Sequence, residues 1–279
     1  MFGLVFGSFA NVVIWRFPRG ESLSHPDSHC PICDTPIQWR DNIPVLSWLM
    51  LRGKCRACGV KISARYPVVE LMSGALWVLA GLRFGPSLHV VFAVAFFYLL
   101  LLLAWIDIDT MRLPNALVAL LAVVGLAGAL TAQLTGVPAV PLIGGTVTSI
   151  PSPLLMAILG ALMSAVPALL LSLIMAAILK RPALGMGDVK LLGAMGVFLG
   201  AYGLMAFFVG SLVGVVFALM SRGPSVAESS DDSGPLPTSD EEPSKRGLFP
   251  FGPALAMGAV IVTLVGPQVW AWYLSLLAV

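Results

Sequence analysis

The chain has 279 residues, 58% of them hydrophobic and only 11% charged. That excludes an ordinary soluble domain, in which about 25% of residues carry charge. The formal net charge of +2 says little by itself, because in a membrane protein the loop that holds each charge is what matters. Lipid is the expected surrounding, and no nucleic-acid partner is expected. The 12 Met and 28 Gly suit close helix packing in lipid and need no cofactor.

Apolar runs fit to span a bilayer at about 20 residues each fall at 1–15, 68–84, 88–106, 115–135, 153–179, 204–220 and 251–278. A shorter run, 191–202, holds Gly193, Gly196 and Gly200 and is read as a short tight or re-entrant helix. The fold class expected is therefore an all-α polytopic membrane protein of about eight transmembrane helices. It divides into a first helix (1–15), a polar insert (16–67), a transmembrane core (68–221), a linker (222–248) and a last helix (249–279). The first run lacks a basic region before it, so it reads as a span and not a cleavable signal. At about 14 residues it is short for a span, which leaves open a start upstream of Met1.

Basic residues set the orientation. Arg16, Arg19, Arg40, Arg52, Lys54, Arg56, Lys61 and Arg65 lie in the insert, and Arg112, Lys180, Arg181, Lys190, Arg222, Lys245 and Arg246 in alternate later loops. Only Arg83 falls on the other side. The positive-inside rule then makes the insert cytoplasmic and both termini external. The uncharged 136–153 stretch suits an external connector. The linker, with Ser229-Ser230-Asp231-Asp232 and Ser239-Asp240-Glu241-Glu242, has the composition of a disordered cytoplasmic segment with no catalytic role.

All four cysteines lie in the insert, as Cys30-Pro31-Ile32-Cys33 and Cys55-Arg56-Ala57-Cys58. Each C-x-x-C turn aims two thiolates at one point, and two such turns together make the sulfur cage that zinc favours. Asp34 and Gly59 allow the tight turns required. Disulfides or a redox pair are the alternatives. A reducing compartment weighs against the first, and no thioredoxin-like pattern surrounds either pair. Four thiolates leave no position for water, so Cys30, Cys33, Cys55 and Cys58 would hold a structural zinc, not a catalytic one.

The chemistry is expected from acids in or beside apolar runs: Glu70, Asp107, Asp109 and Asp188. A carboxylate at the centre of a spanning helix costs roughly 2.5 to 3.5 kcal/mol on insertion scales, so each needs a partner or a task. Asp107 and Asp109 are about 200° apart around a helix, and only one can meet Asp188. Asp109 heads a polar turn in which Arg112 or water is its expected contact, so Asp107 is chosen. Asp107 and Asp188 are the expected catalytic pair, two carboxyl groups sharing one proton and able to hydrolyse an amide at neutral pH. Gly185 and Gly187 permit positive φ and close backbone approach beside Asp188, and with Lys190 they are the supporting residues. Glu70 is expected to pair an arginine such as Arg65, with contact to a cationic substrate or cofactor group as the sharper reading.

Several motifs in order resemble the type IV prepilin peptidases, aspartic membrane proteases of the Gly-x-Gly-Asp type. They are Gly7-Ser8-Phe9-Ala10-Asn11-Val12-Val13-Ile14, the two cysteine turns with Asp41-Asn42-Ile43-Pro44 and Arg65-Tyr66-Pro67, and Asp107 through Leu113-Pro114-Asn115. Gly185-Met186-Gly187-Asp188-Val189-Lys190 and Pro250-Phe251-Gly252-Pro253 complete the set. The resemblance implies Asp107 and Asp188 as the catalytic acids. It further implies a bacterial inner-membrane enzyme that removes a basic leader from prepilins and pseudopilins at the cytoplasmic face. Many members also methylate the new N-terminal amine with S-adenosylmethionine, an activity linked to the insert, although no Gly-x-Gly-x-x-Gly loop is present. The abrupt start and the acidic linker depart from the family pattern. Two rival classes are an ion-coupled transporter using the same aspartates, which requires acids near the midplane, and a non-catalytic pilus or secretion assembly factor.

Overall fold

The computed structural model describes residues 1–143, 152–180, 184–220 and 250–277. Among these the chain is helical without strands, and two isolated bridges, His29 to Pro36 and Lys54 to Lys61, lie inside the insert. The helices are α1 (Phe2–Arg16), α2 (Leu46–Met50), α3 (Arg65–Phe84), α4 (Leu88–Thr110), α5 (Asn115–Thr135), α6 (Pro153–Leu179), α7 (Met186–Leu199), α8 (Gly203–Met220) and α9 (Gly252–Leu277). The expected linker, 222–248, and the central part of the expected external connector, 144–151, lie outside the described residues.

Six stretches among the described residues are long and apolar enough to cross a membrane: Arg65–Phe84, Leu88–Thr110, Asn115–Thr135, Pro153–Ile178, Met186–Met220 and Gly252–Leu276. The protein is thus a multi-pass membrane protein, with six such stretches where eight spans are expected from sequence. The difference lies in α1, which has 15 residues, and in α7 and α8, which join into one apolar stretch. That stretch does not run straight. A Cβ on Gly203 would stand 3.0 Å from the Gly196 Cα, whereas seven residues of continuous helix advance about 10.5 Å. The chain doubles back through a 3-10 turn at Gly200–Tyr202, with Gly200 at φ +58°. The short helix expected at 191–202 instead begins at Met186, which places Gly187 and Asp188 inside its first turn.

Small residues let the helices approach. Gly3 and Gly7 of α1 receive Trp77, Gly74 and Glu70 of α3; Gly160 and Ser164 of α6 meet Gly196 and Gly203; Gly210 of α8 lies on Ala254 and Leu255 of α9. Lipid offers no hydrophobic drive between helices, so such close contacts carry the association. α4 sits in the middle, buried through Phe96, Phe97, residues 99–103, Ile106 and Asp107, and packs on α9, α3, α5 and α1. Its Phe96 ring stacks on Phe198 of α7 at 4.5 Å. α3 and α4 run antiparallel, because Arg65 at the start of α3 pairs with Asp109 at the end of α4. The insert therefore joins the bundle at the same end as Asp107.

Candidate active site

Three helix ends converge there. Asp107 lies in the last turn of α4, which ends at Met111 in the left-handed conformation, its N–H on the Asp107 carbonyl. The Asp107 side chain is buried, and its Oδ2 accepts the backbone N–H of Gly252, the first residue of α9, at 2.9 Å. A Cβ on Gly252 would fall 2.7 Å from that oxygen, so only glycine lets the main chain come this close. Asp188 stands in the first turn of α7, where the helix dipole favours a carboxylate. The end of α4 and the start of α7 lie together, joined where Gly187 packs on Leu113, so both carboxyl groups stand at the same end of the bundle. The structure thus brings together the two acids singled out from sequence.

The loop before α7 is fixed from three directions. Ser172 of α6 donates to the Leu184 carbonyl at 3.0 Å. Gly185 is extended at φ −65°, and a Cβ there would stand 3.1 Å from Asp188 Oδ2. A Cβ on Gly187 would reach ordinary contact with Leu113 at 3.4 Å. Neither glycine adopts positive φ, contrary to the expectation, because the turn is made by an extended residue followed directly by helix. Close approach is what remains, tightly at Gly185 and loosely at Gly187. Lys190 turns away to Asn115 Oδ1 at 2.9 Å, so it ties α7 to the Leu113-Pro114-Asn115 turn.

Asp109 and Glu70 have other partners than expected. Arg65 grips Asp109 with both arms, its Nη1 donating to Oδ1 at 2.8 Å, and its guanidinium lies 4.9 Å from the Trp105 ring centroid. Asp109 is therefore not paired with Arg112, nor Glu70 with Arg65: the antiparallel α3–α4 contact places Arg65 beside the end of α4, one helical turn and more before Glu70. Glu70 is 7% exposed, and its Oε2 accepts the Val45 N–H at 2.7 Å. Val45 has φ +62°, ψ −49°, and Leu46 N–H reaches back to the Pro44 carbonyl at 2.6 Å, a tight γ-turn rare for any residue and costly for a β-branched one. Glu70 holds that turn, and so fastens the insert to α3.

The insert's four sulfurs lie within 4.8 Å of one another, and Cys30 Sγ is 3.9 Å from Cys58 Sγ. A tetrahedral zinc site with Zn–S of about 2.3 Å has sulfur spacings of about 3.8 Å, so the cluster fits a metal ion of that kind. Both turns share one design: Asp34 N–H to Cys30 carbonyl and Gly59 N–H to Cys55 carbonyl, each at 2.9 Å, with Asp34 at φ +52° and Gly59 at φ +72°. Thr35, through its hydroxyl and its backbone N–H, holds the Cys33 thiol down to about 6. Cys58, in spite of the Val60 N–H, is pushed up to about 11 by burial and the neighbouring sulfurs. Without metal the cluster keeps protons that a metal would displace. Arg56 binds Asp41 through two hydrogen bonds of 2.8 and 2.7 Å and holds that carboxyl below its ordinary range.

Gly252, Ser172 and Arg65 are the contributors that sequence reading did not assign to the site. The Pro250-Phe251-Gly252-Pro253 motif was the only signal for the first, and a helix-starting glycine beside a buried acid cannot be paired from sequence alone.

Fold and site together define a helical membrane protein that presents two carboxylates at one end of its bundle, beside a four-cysteine module. The profile of the bacterial peptidase A24 N-terminal domain matches residues 1–84, and that of the type IV leader peptidase family matches residues 94–219. A prepilin leader peptidase/N-methyltransferase of Klebsiella pneumoniae is 40% identical over 204 residues, covering 71% of this chain and 82% of its own. The Bacillus subtilis protein of that name is 32% identical over 285 residues, covering 99% and 96%. A type 4 prepilin-like proteins leader peptide-processing enzyme of Escherichia coli is 34% identical over 279 residues, covering 92% and 89%. No solved structure matches the chain. The chain belongs to the type IV leader peptidase family.

Proposed function

We propose that the protein is a bifunctional prepilin leader peptidase and N-methyltransferase of the bacterial inner membrane, with Asp107 and Asp188 as its catalytic pair. The observation that carries the peptidase reading is the placing of these two carboxyl groups at one end of the bundle, at the end of α4 and the start of α7, with Asp107 held by the Gly252 N–H. One carboxylate takes a proton from water, whose oxygen attacks the scissile carbonyl carbon; the other delivers a proton to the departing amine, and the amide C–N bond breaks. The main chain at Gly185 comes close to the Asp188 carboxyl, where a Cβ would stand 3.1 Å from Oδ2. The substrates are prepilins and pseudopilins, whose basic leader and apolar helix suit a site at the bilayer boundary. The insert's basic residues at the same end support a cytoplasmic placement. Zinc in the Cys30, Cys33, Cys55, Cys58 cage shapes the insert.

The methyltransferase half follows the relatives' names, with S-adenosylmethionine as methyl donor to the new N-terminal amine. A transporter would carry its coupling acids near the midplane, whereas both carboxylates here lie at helix ends. The test is incubation of the purified protein with a prepilin peptide, reading product masses with and without S-adenosylmethionine. Cleavage after the leader, and one added methyl group when the donor is present, are expected. A metal-loaded, folded protein that binds a matched prepilin and leaves it intact would favour the assembly-factor reading instead.

A further inference from the structure

The far end of the bundle holds a second polar feature. The last turn of α3, the start of α4, the end of α5 and the start of α6 surround a cleft of about 550 Å³ whose polar lining includes Arg83, His89 and Gln133. Arg83 and His89 flank the Phe84 ring: the guanidinium carbon lies 5.3 Å from its centroid, and the imidazole stacks on it at 5.7 Å and 12°. The Arg83 Nε is wholly buried and has no hydrogen-bond partner among the described residues.

Among the described residues no acidic side chain pairs with this guanidinium. Of the 14 acids, Glu21, Asp27, Asp34 and Asp41 belong to the insert, and Glu70, Asp107, Asp109 and Asp188 to the opposite half of the bundle. The other six lie between 228 and 242, outside the described residues. Residues 144–151, which join the described parts of the chain on either side, contain no acid. The α3 C-terminus offsets part of the charge, about half an elementary unit. A half-buried guanidinium normally has an anion, and its planar fork matches the oxygens of a phosphate.

Position identifies the source. His89 and Asp107 are 18 residues apart on α4, about 27 Å along a helix, close to the roughly 30 Å of a bilayer's hydrocarbon core. The cleft thus opens at the membrane surface opposite the aspartates, where phospholipid headgroups line the protein. We propose that the Arg83–His89 cleft is a phosphate-binding site occupied by the headgroup of a membrane phospholipid, with Arg83 as the principal contact and the His89 ring as a second donor.

Native mass spectrometry of the full-length protein released from micelles and titrated with phosphatidylglycerol tests this. Wild type should retain one lipid under activation that strips the others. Arg83→Gln should bind that lipid about tenfold more weakly, and Arg83→Lys, which keeps charge but loses the fork, should fall between. Excess inorganic phosphate separates the sources: displacement makes the oxyanion itself what the cleft holds, and persistence makes it the lipid. Equal retention by wild type and a folded Arg83→Gln overturns the proposal. A second measurement needs no variant. Phosphatidylglycerol carrying a photoreactive group on its headgroup should label wild-type peptides containing Arg83 to His89 or residues 133–142, and labelling confined elsewhere also overturns it.

Discussion

Asp107 and Asp109 are two residues apart on one helix and live in different chemistry. Asp109 faces the end of α3 and is neutralised by both arms of Arg65. Asp107, on the opposite face, is buried and receives a main-chain N–H and, among the described residues, no cation. The same contrast separates the regions around them. The insert is fastened by side chains, through Arg56 to Asp41, Glu70 to Val45 and four cysteines, whereas the acid site is assembled by close backbone approach at Gly185 and Gly252. A neutralised acid holds structure together, and an acid left without a cation is the one able to exchange a proton.

The contrast can be broken at graded positions. Loss of either unneutralised acid, Asp107→Asn or Asp188→Asn, should reduce prepilin cleavage by about 10³-fold or more, measured by product mass with purified variants. Gly252→Ala, whose methyl would land 2.7 Å from Asp107 Oδ2, should cost about 10²-fold in cleavage rate by displacing that carboxyl. Stripping the metal with a chelator should open the insert to limited proteolysis and abolish methyl transfer, with cleavage falling by about tenfold at most, since the metal site's free energy is spent on the fold of the insert. Asp109→Asn should leave cleavage within about threefold and lower stability by about 1 kcal/mol, read from thermal unfolding in detergent, because the pair is partly exposed. The smallest effect is expected from Gly187→Ala: its Cβ meets Leu113 only at 3.4 Å, and cleavage should stay within about twofold.

Much of this architecture was legible because apolar runs and glycine-flanked acids leave strong local signals. The span expected at 115–135 coincides with α5, and that at 153–179 with α6. Helical periodicity alone put Asp107 and Asp109 on opposite faces. The cysteine spacing foretold one cluster, and Asp34 and Gly59 take the left-handed turns expected of them. What was hidden depends on which helix end meets which. Arg65 lies five residues before Glu70 in sequence, yet it pairs across to Asp109. The Gly252 contact to Asp107 spans 145 residues. The turn at Gly200 was hidden as well, because Met186–Met220 reads as one continuous hydrophobic stretch.

The central claim is that Asp107 and Asp188 act as one unit. The direct measurement is single-turnover cleavage of one prepilin by Asp107→Asn, Asp188→Asn and the double variant, each checked for folding and insertion. Groups that share one task give losses that do not multiply, so the double variant should be no slower than the worse single variant. Losses that multiply, or full cleavage by either single variant, would contradict the pair.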